Sequence, residues 1–352
     1  MESQLNPQVL IIGAGALAEQ LETAFRGLGC ATKVGPLECA AELRPDLIVN
    51  ATEEFDPDAL REAISRTGAA AVPSLDACRI TRNREGIRRT AAEELGLPTM
   101  AYEFAKTPEE LERCADEVGY PCVVKPSVST GGLGQTVVHG SEELGGAWNS
   151  AREMRPDGSV AVERYVDFDF EVTIVTVRSV DPATGQLATW FCEPIGTRHE
   201  AGVLVEAWQP APLSEAAMDN ARSIAARISG KIGVQGVYSI ELFVAGDEVY
   251  FSDVNPRPSL DGMVTVATQR VNQFELHARA VAGLPIDVTL TTPGAAHFLP
   301  AQPFDRDALA RALAVEETGV QFLEDAVVIR STAETVEEAR GRAEAAARDL
   351  TA

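Results

Sequence analysis

Glu241-Leu-Phe-Val-Ala-Gly-Asp-Glu-Val-Tyr-Phe-Ser-Asp253-Val-Asn255-Pro-Arg257-Pro258 is the stretch on which the reading of this chain turns. Apolar and polar residues alternate on either side of Ala245-Gly-Asp247, the pattern of two strands joined by a tight turn. A hairpin symmetric about Asp247 sets Glu241 opposite Asp253, and directly opposed side chains share one face. Asn255, two residues on, falls on that same face. Two opposed carboxylates repel each other unless a cation lies between them. Carboxylates with an amide oxygen suit magnesium, which takes few protein ligands and leaves positions for phosphate oxygens. Arg257, held between two prolines, is placed to neutralise a phosphoryl group. The competing reading is a solvated hairpin that happens to be acidic.

Further out, Lys125 closes the strand-like run Pro121-Cys-Val-Val-Lys-Pro126 and precedes the loop Ser127-Val-Ser-Thr130-Gly-Gly-Leu-Gly134-Gln135. Such a loop can cover nucleotide phosphates with backbone N–H groups. It is not a Walker A loop, because Gly-Lys-Ser/Thr is absent, and alone it is equally an ordinary glycine hairpin. Val162-Glu163-Arg-Tyr-Val166 offers a strand end whose backbone can meet an adenine edge. Glu171 can hold ribose hydroxyls. Taken alone, these acids read as surface residues. Gly13-Ala-Gly15-Ala-Leu-Ala18 fits the dinucleotide fingerprint, which makes a nicotinamide oxidoreductase a rival. The acidic residue that should follow about twenty positions later is misplaced, since Glu38 comes directly after Gly35-Pro36-Leu37. A tight strand-to-helix turn facing some other ligand is the stronger expectation.

Strand patterns at Val9–Ile12, Leu47–Val49 and Ala69–Val72 alternate with helical ones at Leu17–Leu28 and Pro57–Ser65, which predicts an α/β domain with a parallel sheet over about residues 1–80. A central unit follows over 81–290, with lobes at about 98–160 and 161–290, and a small C-terminal unit over 291–352. The 352 residues carry a formal net charge of −23, which argues against nucleic acid or an anionic membrane surface as partner. Six cysteines are scattered without metal spacing, as in a reduced cytoplasmic protein. Met1 to Gln8 lacks a signal-peptide pattern, and no apolar run is long enough for a membrane helix.

Taken in order, Asn83-Arg-Glu-Gly-Ile-Arg-Arg89, Ala91-Ala-Glu-Glu-Leu95, Gly119-Tyr-Pro-Cys122, Val124-Lys-Pro126, Phe168-Asp-Phe-Glu171, Glu241-Leu-Phe243, Gly246-Asp-Glu-Val249 and Pro256-Arg-Pro258 with Gly262-Met-Val-Thr265 resemble the formate-dependent phosphoribosylglycinamide formyltransferases. The resemblance runs from about residue 80 to 290. It implies an ATP-grasp fold: an N-terminal parallel α/β domain, a two-part domain clasping ATP, and a small C-terminal domain. It further implies a homodimeric ligase that makes an acyl phosphate from ATP and a carboxylate, with magnesium, and passes the acyl group to an amine. ATP is thereby assigned to Arg84, Lys125, Thr130, Gly131, Gly132, Leu133, Gly134, Gln135, Glu163, Arg164, Tyr165, Val166 and Glu171. Magnesium is assigned to Glu241 and Asp253, to which the hairpin reading adds Asn255. Lys125 and Arg257 then act on the transferred phosphoryl group, and Arg198 in Gly196-Thr-Arg-His199 faces the carboxylate.

Departures from the family pattern gather at the acceptor. Leu133 stands where the phosphate loop has a basic residue. Gly15-Ala16-Leu17-Ala18 lacks the substrate-binding Glu, Leu260 takes the place of an Asp with Asp261 one position later, and Gln321 to Arg330 has neither the Lys nor the Arg pair that holds the ribotide phosphate. The remaining acceptor contacts fall on Gly15, Ala16, Leu17, Asp261 and Glu53 or Glu54. Charge-assisted contacts to phosphate are strong and hard to replace. The expectation is therefore a retained ATP engine with a different amine as acceptor and formate or a larger acid as donor. One rival is true ribotide formylation, with cations regained at Arg330 and Arg340. A second is an ATP-binding protein without turnover, which the intact Glu241, Asp253 and Lys125 oppose.

Overall fold

The computed structural model describes residues 7–351 other than 53–55, 129–133, 155–157, 201, 302 and 304. It opens with four parallel strands, β1 (Gln8–Ile12), β2 (Ala31–Val34), β3 (Leu47–Asn50) and β4 (Ala70–Val72), in the order β2-β1-β3-β4. β1 is apolar from Val9 to Ile12 because both its faces are covered. Val9 and Ile11 join one core cluster, while Leu10 and Ile12 join another. Gly13 and Gly15 turn the chain from β1 into the helix Gly15–Gly27 with φ of +128° and +71°, a region that side chains avoid. The short, half-exposed β2 left no periodic signal in the sequence.

A second sheet is antiparallel and contains β5 (Tyr102–Ala105), β6 (Cys122–Pro126), β7 (Thr136–Val138) and β8 (Val160–Arg164), ordered β5-β8-β6-β7. The helix Pro108–Val118 packs on it, capped by Thr107, whose Oγ1 accepts from the Glu110 N–H. The Glu110 carboxylate turns back to the Lys106 N–H, one residue outside the usual capping box. Before this sheet, an α segment, Arg84–Arg89, widens into a π turn over Thr90–Glu94.

The third sheet has nine strands: β9 (Phe170–Val180), β10 (Leu187–Phe191), β11 (Ile195–Glu200), β12 (Val203–Gln209), β13 (Gly236–Ala245), β14 (Glu248–Asn255), β15 (Gly294–Pro300), β16 (Thr318–Phe322) and β17 (Ala326–Thr332). The helix Glu215–Ile232 buries Ala217, Ala221, Ile224, Ala225, Ile228 and Ile232 against it, the spacing of one helical face. β15 pairs with β12, so the C-terminal strands extend the central sheet. No helix among the described residues is long and apolar enough to cross a membrane.

The C-terminal helix Val336–Thr351 is pinned by charge as well as packing. Arg340 donates from Nε and Nη2 to the buried Glu206 carboxylate, at 2.8 and 2.9 Å, and its guanidinium lies 4.1 Å from the centre of the Trp208 ring. Replacing Arg340 with Ala leaves Glu206 to Arg198 alone. Arg340→Ala should destabilise the fold by about 2 kcal/mol, read as a lower urea midpoint for C-terminal unfolding.

Candidate active site

The hairpin β13–β14 sets the chemistry. A two-residue turn pairs Ala245 with Glu248, a register that by itself would put Ser252 opposite Glu241. A bulge between Phe251 and Asp253 absorbs Ser252, and Asp253 arrives opposite Glu241. Asn255 joins this face, donating from Nδ2 to Glu241 Oε1 at 3.0 Å and accepting from Arg257 Nη1 at 2.9 Å. Arg84 Nη1 lies 3.5 Å from Asp253 Oδ2. Burial raises the Glu241 carboxyl well above its usual range, and the negative charges of Asp253, Asp261 and Glu171 add to that push. So much converging negative charge around one buried carboxyl is what a bound cation would relieve, and the oxygen set suits magnesium.

Beside the hairpin stands a buried charge cluster. Glu163 Oε2 is 2.6 Å from Lys125 Nζ, and Glu163 Oε1 is 2.7 Å from Arg88 Nη2, with the Glu163 and Arg88 side chains each 1% exposed. Burial works against the Glu163 charge, but Arg88 and Lys125 outweigh it and hold the carboxyl far below its usual range. Burial, in turn, lowers Lys125. Glu163, expected at the nucleotide, has both oxygens engaged inside the protein, and its strand is hydrogen-bonded on both sides. It lies on the cavity wall beside Lys125, which it positions. Arg164, which ends β8, and Tyr165 and Val166, just beyond it, do line the cavity, as does Gln135. Gly134 lies within the described residues, whereas Thr130, Gly131, Gly132 and Leu133 lie outside them.

These groups face one cavity of about 1650 Å³ with walls from all three sheets, including Arg84, Lys125, Glu171, Glu241, Asp253 and Arg257. Arg198 is not on its wall. Arg198 bonds Glu206 and Glu200 on the other face of β11, so its expected role toward the carboxylate is corrected. Side chains alternate along a strand, so the residue after Arg198 faces the other way, opposite a β12 bulge at Val205. His199 takes that place, its Nδ1 2.8 Å from Glu171 Oε2. A lone His beside an Arg gave no sequence signal for this.

Residues 90–274 match the ATP-grasp domain. The chain belongs to the ATP-grasp family. It is 45% identical over 380 residues to the formate-dependent phosphoribosylglycinamide formyltransferase of Corynebacterium jeikeium, covering 97% of this chain and 92% of that one. The enzyme of that description from Paraburkholderia xenovorans is 39% identical over 98% of this chain and 95% of its own length. Among solved structures, glycinamide-RNase-transformylase T from Mycobacterium tuberculosis superposes with a TM-score of 0.83 at 36% identity, over 97% of this chain and 99% of that one. An N5-carboxyaminoimidazole synthase from Aspergillus clavatus reaches 0.85 at 19% identity, over 99% of each chain, a likeness of fold alone. The protein is therefore an ATP-grasp ligase, an enzyme that binds ATP. Near-full-length similarity to enzymes of one description weighs against the changed acceptor expected from the sequence.

Of the residues expected at the acceptor of this ATP-grasp ligase, Leu17 and Asp261 line the cavity, as does Leu260, and Asp261 accepts from Thr173 Oγ1. Glu53 and Glu54 lie outside the described residues. Gly15 and Ala16, expected to meet substrate, instead donate their N–H groups to Glu324 (3.0 Å) and Asp325 (3.3 Å). The helix has no capping side chain of its own, so carboxylates from the loop between β16 and β17 serve its N-terminus. Arg330 and Arg340, expected as replacement cations, are not on the cavity wall: Arg340 binds Glu206, and Arg330 is half-buried with Nη1 unpartnered.

A carboxyl raised on folding means that the folded chain holds its proton longer than the unfolded one. Stability is then lost as pH rises from the ordinary carboxylate range toward the raised value. Glu241→Gln should stabilise the ligand-free enzyme by about 1 kcal/mol or more at neutral pH, with the gain shrinking toward pH 4. Thermal unfolding across that range checks the sign.

Proposed function

We propose that this ligase formylates glycinamide ribonucleotide, using formate and ATP and releasing ADP and phosphate. The observation that carries the reading is the 45% identity, over 97% of the chain, to an enzyme described by that reaction. A formate oxygen attacks the terminal phosphorus of ATP, ADP leaves, and formyl phosphate forms. The acceptor amine then attacks the formyl carbon, phosphate leaves, and the amine proton is lost.

Lys125, fixed by Glu163, holds the phosphates by a charge-assisted hydrogen bond. Arg257, braced by Asn255, stabilises charge on the transferred phosphoryl group. Arg84 belongs to the same cationic wall. Tyr165 and Val166 flank the nucleotide base, and Glu171, oriented by His199, takes its ribose. Glu241, Asp253 and Asn255 would hold magnesium, whose charge offsets that of the phosphates. Enclosure by the three sheets keeps water from the formyl phosphate. The N-terminal unit to about residue 80, the clasp to about 290 and the C-terminal unit form its walls. All six cysteines are free thiols, in keeping with a reducing, cytoplasmic setting.

The test is ADP release from ATP and magnesium, with and without formate and the ribotide. Release that needs both, with a formylated product, is the expected result. Glu241→Gln should reduce it by about 100-fold or more, since even outer groups at metal sites are worth 10- to 100-fold. Formate-dependent release that the ribotide does not alter would redirect the search to other amines.

A further inference from the structure

The ribotide reading demands a cation for the acceptor's phosphate, and the N-terminus of the helix Gly15–Gly27 does not offer one, because Glu324 and Asp325 close it. Among the described residues, six cationic or potentially cationic side chains line the cavity: Arg82, Arg84, Lys125, Arg164, His199 and Arg257. Five are engaged. Arg84 faces Asp253, Lys125 faces Glu163, Arg164 donates to the Val118 carbonyl, His199 meets Glu171, and Arg257 donates to Asn255.

Arg82 stands apart. It is exposed and, among the described residues, makes no ion pair or side-chain hydrogen bond. It ends the helix Leu75–Arg82, which leaves β4 through Pro73 and runs along the cavity wall, presenting Cys78, Thr81 and Arg82 to it. That wall adjoins Asn50 and Thr52, at the carboxyl end of β3, where open parallel sheets hold their ligands. A solvated charge at a helix C-terminus is the bland alternative. Arg79 already supplies a cation to that last turn, and it faces Asp58 on the neighbouring helix, away from the cavity wall.

We infer that Arg82 binds the anionic group of the acceptor, a phosphorylated amine, and so sets acceptor specificity. The inference rests on the formyltransferase reading. A guanidinium can take a phosphate through two parallel hydrogen bonds, and an unpartnered one has no internal pair to break first.

The test uses the full-length enzyme, glycinamide ribonucleotide as the probe, and the variants Arg82→Met and Arg82→Lys. Arg82→Met should raise the KM for the ribotide tenfold or more and weaken its calorimetric binding by a similar factor. The KM for ATP and the melting temperature should hold, and Arg82→Lys should recover part of the loss. An unchanged ribotide KM in Arg82→Met overturns the inference, as does an equal rise in the KM for ATP, which would place Arg82 at the nucleotide. Wild-type enzyme that neither binds nor formylates the ribotide sinks the formyltransferase reading and this assignment with it, while wild-type activity with an indifferent Arg82→Met sinks only the latter.

Discussion

Arg88 is the constraint on which the site depends. Its guanidinium is buried between two strands of different sheets, donating to the Glu163 carboxylate on β8 and to the carbonyls of Phe251 and Ser252 on β14. Those two carbonyls belong to the bulge that brings Asp253 opposite Glu241. The other oxygen of Glu163 holds Lys125. One side chain thus fixes Lys125 and the carboxylate pair relative to each other, although they sit on different sheets. A buried charge left without its partner typically costs 3–5 kcal/mol, so alternative arrangements of this junction are strongly disfavoured.

The neighbouring carboxylates are organised in the opposite sense. Glu163 is neutralised twice over, whereas Glu241 faces Asp253, Asp261 and Glu171 with too little positive charge around it. A preformed negative site is ready for a cation and stores repulsion until one arrives. Its cationic neighbours, Arg84 and Arg257, are tied to Asp253 and Asn255, so the site keeps its shape without collapsing inward.

The two ends of the cavity rest on different kinds of structure. The end beside Lys125 and Glu241 is framed by hydrogen-bonded strands, where register dictates which side chains face inward. The end beside the N-terminal sheet depends on a helix N-terminus, the loop between β16 and β17, and the last turn of Leu75–Arg82. Loops tolerate substitution better than ladders do, which fits the departures from the family pattern there, at Gly15–Ala18 and over Gln321 to Arg330.

The sequence by itself determined the local elements. The apolar runs of β1 and β3, the capped helix after Thr107, and the hairpin with Glu241 across from Asp253 all follow from period and turn chemistry that act within a few residues. The hairpin came out right through two offsetting details, a shorter turn and a bulge, neither visible in the pattern. Tertiary structure alone decided what lies across the chain. Alternation says that neighbours point oppositely but not which one points inward, so Arg198 and His199 could be told apart only by their partners, Glu206 and Glu171. Glu324 and Asp325 lie 309 residues from the N–H groups they cap, and Arg88 lies 163 and 164 residues from the carbonyls it holds. A sequence window carries no record of such contacts, because they exist only when separate sheets close around one cavity.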